Sequence, residues 1–140
     1  IVEKENKYKD ALESYGKNLG LTFQIADDTL DYNSDLKLFG KKIGNDFFEG
    51  KVTLPIILLF QKIDENEKKF IKTLFQKKQR TEDDLKKVIE FIKSYNIINE
   101  CYKKAEHYIN LASNSLNIFE NSYEKDILKN LTSFSLERNF

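Results

Sequence analysis

The chain has 140 residues, one domain by length, enough to bury about two-thirds of the surface its unfolded form exposes. Its 23 basic and 23 acidic residues cancel, which argues against a nucleic-acid grip or a polybasic membrane patch as its main business. A single cysteine has no partner for an internal disulfide, no apolar run reaches membrane-spanning length, and the first residues, IVEKENKYKD, carry no signal-peptide pattern. A soluble, cytoplasmic protein without a transmembrane segment is expected. The chain begins at Ile1 and contains no methionine, so a truncated or processed product is expected too.

In chain order, Tyr8 to Tyr32 reads as one helix of about 37 Å at about 1.5 Å per residue. Leu12, Leu19, Phe23, Ala26 and Leu30 form its core stripe, and Leu21 and Ile25 widen the apolar arc, as expected for a central helix buried on most sides. Gly16 and Gly20 lie near the acidic face and open space for a neighbouring helix or a bound apolar chain, at about 1 kcal/mol each in helix propensity. Asn33 to Val52 loses helical periodicity and reads as a loop. Thr53 is the expected N-cap of the next helix, with Pro55 in its first turn and Leu54 to Phe60 buried. Asp64 with Glu67, and Thr81 with Asp84, mark the starts of helices over about 64–77 and 81–95 with lysine-rich, solvated faces. Ile98, Cys101, Tyr102, Ala105, Tyr108, Ile109, Ala112, Leu116 and Phe119 give strong helical spacing from 97 to 119. In that segment Cys101 is expected as a packed core thiol, and His107, without a second ligand at metal spacing, as a structural or surface residue. A last helix spans 122–138 through Tyr123, Ile127, Leu131 and Phe134. No stretch alternates as a strand would. The fold class is all-α: residues 1–140 form one incomplete domain, with a central helix (1–32), a binding loop (33–53) and C-terminal helices (54–140).

The chemistry concentrates between Gly20 and Pro55. Gln24, Asp27, Asp28 and Asp31 recur at spacings of three and four, which puts four oxygen-bearing side chains within roughly 100° of one helix face. Carboxylates that close raise one another's pKa unless a cation sits between them. A hard divalent ion answers that need. Mg²⁺ binds one or two carboxylates, keeps several waters and completes its shell with substrate phosphates, so the acidic face suits a diphosphate ligand. Lys41 and Lys51, beside Gly40, Gly44 and Gly50, supply positive charge on backbone able to bend around a ligand, and Asp46 stands between them to reach a metal-bound water. Two other motifs fail on the same residues. An EF-hand loop from Asp31 would need glycine at Leu36 and glutamate at Lys42, and a P-loop over Gly44 to Lys51 has the wrong glycine spacing and Val52 where Ser or Thr belongs.

The segments F-Q-x-x-D-D-x-x-D-Y, G-K-x-x-G-x-D and E-G-K-x-T-L-P together resemble the second aspartate-rich region of trans-isoprenyl diphosphate synthases, the long-chain polyprenyl (octaprenyl-type) members above all. The match runs through Phe23, Gln24, Asp27, Asp28, Asp31, Tyr32, Gly40, Lys41, Gly44, Asp46, Glu49, Gly50, Lys51, Thr53, Leu54 and Pro55. A weaker likeness continues through Tyr102, Ala105, Ala112 and Leu116 to Arg138, so the resemblance covers most of the chain, as the C-terminal part of such an enzyme. The family's earlier aspartate-rich motif, the arginine pair after it and a further lysine have no counterpart here.

The resemblance implies the C-terminal part of an isoprenoid synthase-type helical bundle and Mg²⁺-dependent condensation of an allylic diphosphate with isopentenyl diphosphate. It implies metal ligation by Asp27, Asp28, Asp31 and Asp46, catalytic roles for Asp27, Asp28 and Lys41, and substrate binding by Phe23, Gln24, Lys41 and Lys51. The expected partner is a chain carrying the first aspartate-rich motif, in a homo- or hetero-oligomer, and the chain alone is expected to be inactive. The alternative is a non-catalytic subunit or remnant that packs on a longer helical partner. A cyclising terpene synthase fits the two lysine-bearing segments less well.

Overall fold

Short-range chemistry sets the starts of the helices Glu65–Gln76 and Glu82–Ser94, both complete capping boxes. The computed structural model describes residues 2–33 and 42–137; the expectations placed on Gly40, Lys41 and Arg138 lie outside the described residues. Seven α-helices make up the described chain: α1 (Val2–Leu30), α2 (Asn45–Glu49), α3 (Leu54–Lys62), α4 (Glu65–Gln76), α5 (Glu82–Ser94), α6 (Ile97–Ser115) and α7 (Tyr123–Glu137). A 3-10 turn, Leu116–Ile118, follows α6, and no strand occurs among the described residues. The chain is all-α, as expected.

At α4, the Asp64 carboxylate accepts from the Asn66 and Glu67 amides at 2.8 and 2.9 Å, while Glu67 Oε2 accepts from the Asp64 amide at 3.0 Å. At α5 the Thr81 hydroxyl accepts from the Asp84 amide and Asp84 Oδ2 from the Thr81 amide. Three amide donors are satisfied at the start of α4 and two at the start of α5. Thr53 stands at the N-cap of α3 with Pro55 in the first turn, but its hydroxyl makes no capping bond.

The chain divides into two compact units. The first holds α1 as far as Ala26 and the chain from Tyr102 onward. Its core is Tyr15 and Leu19 against Ile109, Ala112 and Leu116, with Phe119 and Leu128 packed on it. Polar tethers reinforce that seam: Tyr15 Oη donates to the Leu128 carbonyl at 2.9 Å, and the Ser14 and Ser115 hydroxyls meet at 2.8 Å. Buried Lys125 donates to the Phe119 carbonyl at 2.6 Å, placing a cation at the end of the 3-10 turn. Leu12 and Phe23, expected in the core stripe, are instead 47% and 41% exposed. Within this unit α6 and α7 cover one side of α1, and that side takes Tyr15, Leu19, Thr22 and Ala26. A Cβ added at Gly16 or Gly20 would meet nothing within 4 Å, so both glycines face open space in this chain.

The second unit is built on Asp27–Cys101. Phe47, fully buried, lies at its centre with its ring edge-on to Phe75, 5.1 Å between centroids. Ile56, Leu59, Ile71, Leu85, Val88, Ile92, Ile97 and Cys101 are buried too, so Cys101 is a packed core thiol as expected. His107, in the first unit, is exposed.

α4 and α5 are joined by an ion pair, Lys77 Nζ to Asp84 Oδ1 at 2.6 Å. The bond from Lys77, followed by the Thr81 amide, holds the Asp84 carboxyl at about 2, below its ordinary value. A carboxyl depressed by folding contributes stability above its unfolded pKa of about 3.9 and loses it as pH falls toward the folded value. Asp84→Asn should therefore lower the melting temperature at pH 7, with the gap from the parent chain closing between about pH 4 and pH 2. A gap of equal size at pH 7 and pH 2 in thermal melts would contradict this role.

Candidate functional site

The site begins where α1 stops. The Tyr32 amide donates to the Thr29 carbonyl and the Asn33 amide to the Leu30 carbonyl, both at 3.2 Å, which closes the helix in a tight turn. At the far end of the following segment the Gly44 amide returns to the Asp31 carbonyl at 2.7 Å. Gly44 has φ 86°, and a Cβ there would lie 2.3 Å from Leu85 Cδ2, so only glycine fits both the backbone and the packing.

A glycine at the N-cap of α2 has no side chain to bind the exposed amides of the first turn. Asp31 supplies it from 14 residues away: its Oδ1 accepts from the Asn45 amide at 3.0 Å and its Oδ2 from the Asp46 amide at 2.8 Å. One carboxylate therefore caps a helix to which it is not adjacent in sequence. The result fixes Asp46 and the α2 turn against the end of α1.

Asp27, Asp31 and Asp46, with Leu30, Ile43 and Lys42, line an open pocket of about 300 Å³. Burial raises the Asp46 carboxyl above its ordinary value, and the Asp31 and Asp28 charges add to the rise while Lys51 opposes it. Lys51 lies 2.5 Å from Glu49 and 3.8 Å from Asp46, and the Glu49 bond raises its own pKa. Its side chain, 59% exposed, is thus moored beside the acidic pocket. Among the described residues no three carboxylate, thiol or imidazole side chains converge into a ready-made metal cage. The candidate ligands are carboxylate oxygens, and the Asp31 and Asp28 charges add to the rise that burial causes at Asp46. That set fits a hard divalent ion completing its shell with water and ligand oxygens, and does not fit a closed protein cage.

Of the residues singled out in the sequence, Asp27, Asp31 and Asp46 share this pocket and Lys51 pairs with Asp46. Asp28 is half-buried; Gln24 and Phe23 are exposed and lie earlier in α1. Lys42, which lines the pocket, was not singled out. Neither was Arg80, whose guanidinium donates to the Phe48 carbonyl at 3.0 Å and to the Phe75 carbonyl and lies 6.0 Å from the Phe47 ring centroid. Arg80 holds the turn after α2, and Gly50 (φ 75°) is needed there because a Cβ would come within 2.7 Å of the guanidinium. Arg80 and the Phe48 carbonyl are 32 residues apart, beyond the reach of any local spacing.

Comparison with known proteins bears on this arrangement directly, since residues 1–92 match the polyprenyl synthetase family. The chain belongs to that family. It is 32% identical over 138 residues to an all-trans-nonaprenyl-diphosphate synthase (geranyl-diphosphate specific) of Rhodobacter capsulatus, covering 99% of this chain and 42% of that enzyme. A polyprenyl synthase from Roseobacter denitrificans superposes with a TM-score of 0.82 at 32% identity, over 92% of this chain and 41% of that one. A polyprenyl synthase from Caulobacter crescentus, solved with calcium and isoprenyl diphosphate, gives a TM-score of 0.80 at 34% identity, over 94% of this chain and 40% of that one. The chain thus spans about two-fifths of these family members.

Removal of the capping carboxylate tests the geometry. Asp31→Ala should cost about 1.5–3 kcal/mol in urea denaturation, the range for hydrogen bonds to charged groups. Asp27→Ala, at an exposed position, should change stability by about 0.5 kcal/mol or less. Equal, small effects would mean that Asp31 does not hold α2.

Proposed function

We propose that this chain is one half of a prenyltransferase site, in which the prenyl group of an allylic diphosphate is transferred to isopentenyl diphosphate. Family membership supplies the reaction class. The observation that carries the reading to this chain is the Asp31 clamp, which brings Asp46, and Lys51 paired to it, to the acidic end of α1.

Asp27, Asp28, Asp31 and Asp46 would hold Mg²⁺, and the calcium in the Caulobacter relative agrees with a divalent ion at such a site. Bound Mg²⁺ would neutralise charge on the diphosphate leaving group. Lys41 and Lys51 oppose the negative charge that grows on the diphosphate as the C–O bond breaks, and Gln24 hydrogen-bonds the diphosphate or its hydration shell. Phe23 offers an exposed aromatic wall one turn earlier in α1. Lys51 leaves its pairing with Glu49 and Asp46 at small cost, because an exposed ion pair contributes little.

One acidic face and one lysine-bearing segment leave the opposite side of a diphosphate in water, where screening weakens every one of these interactions. The reading therefore requires a partner chain carrying the first aspartate-rich motif. The test is incorporation of radiolabelled isopentenyl diphosphate with an allylic primer and Mg²⁺, run with this chain alone and with a family N-terminal half added. Turnover should appear only in the mixture.

In that mixture Asp27→Ala should lower turnover by about 10²-fold or more, whereas Asp64→Ala should cost only about 1 kcal/mol of stability through its lost cap. Lys51→Ala should weaken diphosphate binding without lowering the melting temperature, and Lys51→Arg should restore it in part. Robust turnover by the chain alone would overturn the half-site reading. Full activity of the Asp27→Ala mixture would favour a non-catalytic subunit that serves only to complete a partner's fold.

A further inference from the structure

The C-terminal end of α2 is closed by a residue that the chemistry above does not use. Of the last carbonyls of this short helix, that of Asp46 accepts from the Lys51 amide at 2.8 Å and that of Phe47 from the Gly50 amide at 3.0 Å. The next, Phe48, accepts from Arg80 Nη1 at 3.0 Å. Arg80 Nη2 donates to the Phe75 carbonyl, in the last turn of α4. One cation thus closes the ends of two helices, where carbonyls lack partners within the helix and favour positive charge.

Two features mark the placement as specific. Arg80 Nε is buried and makes no hydrogen bond, although an unpaired buried donor costs stability and calls for a reason. The turn is also shaped to the guanidinium, since the left-handed Gly50 leaves no room for a Cβ beside Nη2.

α2 is therefore held at both ends by side chains distant in sequence, the Asp31 carboxylate on its first amides and Arg80 on a last carbonyl. Asp46 stands in the first turn, and Lys51 follows the Gly50 cap. The first clamp fixes Asp46. The second fixes the direction in which the chain leaves α2, with α4, longer and closed by its own capping box, as the reference.

We infer that Arg80 is a positioning residue of the diphosphate site: it ties the end of α2 to the end of α4 and so sets where Lys51 stands relative to Asp46. This inference rests on the half-site reading. Both bonded nitrogens are committed to backbone carbonyls, so Arg80 acts through Lys51 and not on the diphosphate itself. A lysine would offer a compact point charge in place of two diverging donors.

The experiment is a double-mutant cycle on the reconstituted complex, this chain plus a family N-terminal half, titrated calorimetrically with inorganic diphosphate in Mg²⁺. Arg80→Met keeps the apolar stem over Phe47 and removes the donors. It should weaken binding about tenfold in the parent and less than about twofold in a Lys51→Ala background, since a residue acting through Lys51 has nothing left to place. The melting temperature should fall equally in both backgrounds. Unchanged affinity in the parent background would overturn the inference, as would losses that multiply, the result for a merely structural arginine. Should Arg80→Met fail to fold, Arg80→Lys enters the same cycle under the same criteria. Failure of the half-site reading looks different, because the parent complex would then bind no diphosphate. The clamp is then read in the chain alone, where Arg80→Met should speed amide exchange at Gly50 and Lys51 about tenfold, and unchanged exchange overturns it.

Discussion

A single carboxylate, Asp31, organises the site. Its two oxygens satisfy the first-turn amides of α2, a helix of five residues preceded by a glycine with no side chain of its own. Such a short helix has too few internal bonds to persist alone, so its place is set by this tertiary cap. The proposed half-site is built out from that bond pair. Asp46 is brought where burial and then neighbouring charges raise its pKa, Lys51 is moored to Asp46 and Glu49, and the chain then enters α3 at Thr53. The metal ligation proposed for Asp31 would use the same two oxygens that cap α2. Each carboxylate oxygen has lone pairs enough to accept an amide and face a cation as well, so capping and metal ligation are compatible.

The second dependence is electrostatic. An acidic cluster costs energy in proportion to how closely the charges are held, and here burial and two neighbours act together on Asp46. A fold that fixes such a cluster gains when a cation arrives. The Lys51 charge partly offsets the repulsion at Asp46.

Much of this was legible in the sequence, and the reason differs from element to element. The starts of α4 and α5 depend on residues three apart, so Asp64 with Glu67 and Thr81 with Asp84 could be read directly. The acidic face was legible because helical periodicity alone puts Asp27, Asp28 and Asp31 together. The capping role of Asp31 was not, since it depends on a contact across 14 residues; the one available signal was a helix start at Gly44 lacking its own cap. Arg80 was invisible for the same reason at longer range. Leu12 and Phe23 were misassigned to the core because apolar periodicity shows which face is apolar, not whether the chain itself supplies the cover. The apolar stripe that marked α7 as a helix, Tyr123, Ile127, Leu131 and Phe134, is between 40% and 76% exposed. A chain that spans about two-fifths of its relatives has apolar faces that its own helices do not cover.

The central claim is that the acidic end of α1 and the segment returning to it form a cation-dependent diphosphate site. The most direct measurement compares binding of inorganic diphosphate to the complex of the unmodified chain with its complementary half in Mg²⁺ and in excess chelator. Binding in Mg²⁺ that disappears in chelator is the predicted result, because without the cation the carboxylates repel the ligand. Equal affinity in both conditions would contradict the account.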